Sequence, residues 1–228
     1  MFSMVYLVLL YALIYYLGES ISGRIGPPHS VTFFALTAFL VLALILYRRR
    51  YGLGACRRGR PWWPWLLLLL WPAGDLVLAA CGHGAAAGDF FACGMYVMCG
   101  MVEELAFRGY LWEKMRRLRP LTAAVCNAAL FGAFHAVNLI GSAPLTVGVQ
   151  AVCAACAGFA LCGTVAYYQS ILPALCVHAL INLCGGIFAR SGIHSIELLV
   201  FGLCAVCSVA SGLWMIRAEE REKNENVH

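Results

Sequence analysis

The chain has 228 residues, 62% of them hydrophobic and 12% charged, with mean hydropathy +0.81 and a formal net charge of +5. A soluble domain carries about twice that charged fraction, so a soluble enzyme is excluded and a polytopic membrane protein indicated. The basic excess tracks the loops, so it reflects contact with anionic headgroups and gives no footing for nucleic-acid binding.

Apolar runs of about 17 to 22 residues recur along the whole length, enough for a helix to cross a bilayer. Eight spans are predicted in chain order: Phe2–Leu17, Val31–Tyr47, Trp62–Ala80, Phe90–Phe107, Leu121–Ile140, Ala143–Tyr168, Ile171–Ala189 and Ser195–Ile216. The first lacks the basic start and small-residue cleavage site of a secretory signal and reads as a retained span. Of the 16 basic residues, all but Arg24 and Arg190 fall in the second loop, the fourth loop and the tail. The positive-inside rule then places both termini in the cytoplasm, as an even number of spans requires. The expected fold is an all-α membrane helix bundle of about eight transmembrane helices forming one domain over residues 1–228.

Most of the 12 cysteines lie inside the spans, where cysteine behaves as a small apolar residue. The CxxC pairs Cys153/Cys156 and Cys204/Cys207 have no second pair to complete a metal site.

Few strongly polar side chains remain at depth. A lone ionisable group in a span costs about 2.5–3.5 kcal/mol, so such groups usually face the protein interior and have partners. Asp75, beside Pro72 and Gly74, reads as a partner for backbone freed at a kink. Asn127 and Asn138 read as hydrogen-bonding glue between helices. The fourth span ends in Glu103-Glu104-x-x-x-Arg108. The fifth carries Phe131-x-x-x-His135 and the seventh His178-x-x-x-Asn182. Residues four apart share a helix face, so Arg108 can hold Glu104, while Glu103, rotated by about 100°, faces another neighbour. Each motif alone is read more simply as an ion pair or an interhelical hydrogen bond.

Together and in that order, the three motifs resemble the CPBP family, which comprises the CAAX prenyl endopeptidases and bacterial bacteriocin-processing relatives. The resemblance runs from about Gly100 to Gly185 and includes the Gly-rich lead-in GFALCGTVAYYQSILPALCVHALIN. On that basis residues 90–190 form a catalytic core, residues 1–89 are variable N-terminal spans, and residues 191–228 are a last span with a charged tail.

The resemblance implies an intramembrane endopeptidase. Glu103 would be the general base and would hold the attacking water with His135. His178 and Asn182 would donate hydrogen bonds to the oxyanion, and Glu104 and Arg108 would be supporting residues. General-base catalysis contributes about 10²–10⁴ in rate, and one preorganised oxyanion donor about 2.7–4 kcal/mol. A metal-independent mechanism without cofactor is favoured, because no HExxH is present, the would-be ligands have no obvious carboxylates behind them, and a liganded Glu103 could not act as the base. The alternative is zinc held by Glu103, His135 and His178.

The expected partners are the lipid bilayer and a hydrophobic or leader-type peptide, cut near the cytoplasmic face of a bacterial plasma membrane. The oligomeric state is open. Competing readings are a non-catalytic receptor or immunity protein on the same fold and a small proton-coupled transporter. One difficulty stands: with these boundaries Glu103 lies near the inner surface and His135 much deeper. The two meet only if the fifth helix begins below the membrane, or the fourth is tilted or extends past Arg108, as RGYLWEKMRRLRP with its mixed charges allows.

Overall fold

A computed structural model describes residues 4–47, 54, 56–82, 85–86, 89–140, 142–189 and 195–225. These residues form eight helices: α1 Met4–Ile25, α2 Ser30–Tyr47, α3 Trp63–Ala80, α4 Phe90–Met115, α5 Pro120–Ile140, α6 Pro144–Tyr168, α7 Leu172–Ile187 and α8 Ser195–Glu225. By length and apolarity α3, α4, α5, α6 and α8 qualify as membrane spans, while α2 and α7 carry shorter apolar helices. A two-residue antiparallel ladder, Ala85–Ala86 against Phe188–Ala189, is the one extended element among the described residues, and no hydropathy pattern announces it.

The starts of the helices follow simple chemistry. Proline occupies the first turn of α3, α5, α6 and α7, where its missing N–H costs nothing. The Asp89 carboxylate caps α4 by accepting from the Ala92 N–H at 2.8 Å. Several ends fall later than the span boundaries predict. α1 runs to Ile25 rather than Leu17, α4 to Met115 rather than Phe107, and α8 to Glu225 rather than Ile216. Charged residues stop a hydrophobic run without stopping a helix. In α8 they are held in place by partners, with Arg60 Nη2 2.8 Å and Lys223 Nζ 3.5 Å from Glu219.

Small residues set the packing. A Cβ on Gly163 of α6 would meet the Gly212 carbonyl oxygen of α8 at 2.9 Å, so these helices touch backbone to backbone. α5 packs along α6, and α4 along α7 and α2. Outward-facing Phe34, Ile45, Val152, Leu199 and Val206 leave an apolar surface suited to lipid. Interhelical glue forms as expected, with Asn138 Nδ2 of α5 donating to Gln150 Oε1 of α6 at 2.9 Å.

The arginines preceding α3 converge with the end of α8. Arg57 and Arg60 both pair with Glu219 and Glu222. Arg116 in the turn after α4 and Lys223 join Glu219 in lining a cavity of about 250 Å³, whose inner wall includes Arg108. Arg57 and Arg60 of the second loop, the turn after α4 and the end of α8 therefore meet at one end of the bundle.

Candidate active site

α4 carries the polar centre. Its regular helix ends at Glu104 and is followed by a seven-residue π-helical stretch, Leu105–Leu111. π-turns are rare and concentrate at functional sites. Here the widened turn is supported from α5: the Asn127 side chain, fully buried, donates from Nδ2 to the Phe107 carbonyl at 2.8 Å. This is the interhelical role foreseen for Asn127, but the π stretch was not foreseen.

Glu104 and Arg108 are both buried, 0% and 1% exposed, and pair at 2.9 Å between Oε1 and Nη1. The Arg108 guanidinium also lies over the Phe131 ring of α5, with Cζ 4.2 Å from its centroid. Desolvated cation–π contacts contribute about 2 kcal/mol. Gly158 of α6 leaves room for this arrangement, since a Cβ there would come within 2.6 Å of Arg108 Nη2.

His178 of α7 reaches the same carboxylate. Its Nδ1 lies 2.7 Å from Glu104 Oε1, and its Nε2 faces Glu103 Oε2 at 3.7 Å. A carboxylate paired with a guanidinium only accepts, so Nδ1 of His178 carries a proton. Glu104 is thus more than a helix-end ion pair: it orients the histidine. Glu103 is less deeply buried, and its Oε1 accepts from Tyr11 Oη of α1 at 3.2 Å.

His135 follows the last regular turn of α5. Its Nδ1 donates to the Phe131 carbonyl at 2.9 Å, which leaves Nε2 to meet another partner. The Phe131 ring stands edge-on between the two imidazoles, 4.9 Å from His135 and 5.6 Å from His178. The depth difficulty resolves through the continuation of α4. The helix extends about 18 Å beyond Glu103, and His135 lies about 22 Å along α5. The two side chains therefore sit at similar heights in an antiparallel pair.

Asn182, one turn beyond His178, donates from Nδ2 to the Tyr96 carbonyl at 3.1 Å. Gly100 permits that approach, because a Cβ there would meet Nδ2 at 2.8 Å. Glu103, Glu104, Arg108 and His178 are thus in contact or near contact, with His135 one ring away and Asn182 one turn away. Among the described residues no three His, Cys, Asp or Glu side chains are grouped to hold one metal ion. His178 Nδ1 and His135 Nδ1 are held by Glu104 and by backbone, and their Nε2 atoms face the site. Contrary to expectation, His178 does have a carboxylate behind it, the support that a zinc-bound histidine also uses.

The site's reliance on Tyr11 was missed in the sequence. The available signal was a hydroxyl in the middle of an otherwise lipid-compatible run.

Fold and site together define a multi-pass helical membrane protein with a polar centre built from α1, α4, α5 and α7. Residues 62–184 match the family model described as type II CAAX prenyl endopeptidase Rce1-like, and the chain belongs to that family of proteases. The match begins at the third helix, earlier than the motif resemblance suggested. No curated protein sequence matches the chain significantly.

Proposed function

We propose that the chain is an intramembrane endopeptidase in which Glu103 activates water without a metal. The observation that carries this reading is the Glu103–His178–Glu104–Arg108 line, which brings two carboxylates, an imidazole and a guanidinium from α4 and α7 together at depth. Desolvated charge is costly unless balanced. Two carboxylates, one guanidinium and one imidazolium sum to zero, and in that state His178 presents an Nε2–H.

The steps follow from that state. Water donates one hydrogen bond to Glu103 and the other to the free Nε2 of His135. Its oxygen attacks the peptide carbonyl carbon as Glu103 takes the proton. The oxyanion receives hydrogen bonds from His178 Nε2–H and from the second N–H of Asn182. Glu103 then returns its proton to the leaving nitrogen as the C–N bond breaks, giving a carboxylic acid and an amine. The acid later ionises.

The proposed substrate is a hydrophobic or leader-type peptide in a bacterial plasma membrane, cleaved toward the basic end of the bundle. The basic residues at that end fit a cytoplasmic face, with both termini there and about eight helices as spans. Co-expression with candidate peptides tests the reading, comparing the native chain with Glu103→Gln and His135→Ala, with and without a chelator. Loss of cleavage in both variants and indifference to the chelator are expected. Chelator inhibition reversed by zinc would overturn the metal-free mechanism.

A further inference from the structure

α1 lies outside the residues that match the family model, yet it reaches the centre of the site. Tyr11 Oη donates to Glu103 Oε1 at 3.2 Å while His178 approaches the other oxygen, Oε2, at 3.7 Å. The Tyr11 ring is fixed by packing. It lies 6.1 Å from the Phe134 ring, next to His135, and joins two core clusters, one with Leu40, Val102 and Leu105, the other with Leu36, Met95 and Cys99. A hydroxyl in the middle of a helix that could otherwise face lipid has a cost, and here its hydrogen goes to the carboxylate.

We infer that Tyr11 is a positioning residue for Glu103: its hydroxyl fixes the rotamer of the carboxylate. The inference rests on the reading of Glu103 as the base. The two carboxylate oxygens then have separate neighbours, Oε1 facing the phenol and Oε2 the imidazole. A single donor on Oε1 leaves that oxygen's second lone pair, and Oε2, open to water.

The test uses the full chain in lipid nanodiscs, with an internally quenched hydrophobic peptide as probe and kcat and KM measured separately. Tyr11→Phe, which keeps the ring and its packing, should lower kcat about tenfold with KM little changed. Replacing Tyr11 site-specifically with a fluorotyrosine, a hydroxyl donor of nearly the same shape, should keep kcat within about threefold of the native value and covers the case in which the phenylalanine variant misfolds. A kcat unmoved by Tyr11→Phe, or lost equally with the fluorotyrosine, with Glu103→Gln inactive, overturns the role of Tyr11 and leaves the base assignment standing. Cleavage by Glu103→Gln overturns the base assignment itself.

Discussion

His178 stands between two carboxylates from adjacent positions on one helix, with Nδ1 2.7 Å from Glu104 and Nε2 3.7 Å from Glu103. Adjacent glutamates project about 100° apart on a helix, and here one ring spans the gap between them. One nitrogen is fixed by a buried ion pair and the other is turned toward the less buried acid. In the proposed mechanism this division separates orientation from chemistry.

Glu104→Gln tests the orienting half. The amide keeps the shape, but the negative charge that balances the proposed His178 imidazolium is lost, and with it the support for the Nε2–H that would meet the oxyanion. kcat should fall about 10²-fold or more with KM little changed, as expected when the group orienting a catalytic histidine is neutralised. Steady-state kinetics on a cleaved peptide gives the answer. A change confined to KM would argue for substrate contact instead.

Arg108 is the counter-charge. Removing one partner of a buried ion pair costs about 3–5 kcal/mol, and Arg108→Met also gives up the stacking on Phe131. Thermal unfolding in detergent should show a large loss of stability. Gly158→Ala should lower stability by about 1–3 kcal/mol through overpacking alone, because its new methyl would press on Arg108 Nη2 and Phe131 Cδ1. A neutral Gly158→Ala would contradict the packing described here.

Asn127 supports the π stretch. Asn127→Leu leaves the Phe107 carbonyl without its side-chain donor in a dry interface, at a cost of about 1–3 kcal/mol. Hydrogen exchange at the amides of Leu105–Leu111 should quicken in the variant. Unchanged exchange there would mean that the stretch holds its shape without Asn127.

Much of this site was legible in the sequence because charge is expensive in lipid. Glu103, Glu104, Arg108, His135, His178 and Asn182 stood out against apolar surroundings, and their helical spacing gave the faces correctly. The contact between Glu104 and His178 was hidden, since periodicity within a helix says nothing about the rotation of one helix against another. The π stretch was hidden as well: LAFRGYL has ordinary helical composition, and its wide turn depends on tertiary partners such as Asn127. Tyr11 was missed because it is one of four tyrosines in α1, and residue type does not say which of them faces the site. Helix ends slipped in α1, α4 and α8 because hydropathy marks where lipid ends, whereas α4 and α8 remain helical where charged partners hold them.

The central claim is that Glu103 is the base that activates water at a site completed by His178. The most direct measurement is cleavage of a processed peptide by purified native protein and by Glu103→Gln in the same nanodiscs, with folding verified by thermal unfolding. A folded variant whose rate is lower by about 10²–10⁴ is the result expected of a lost general base. A folded variant that cleaves at the native rate would contradict the account.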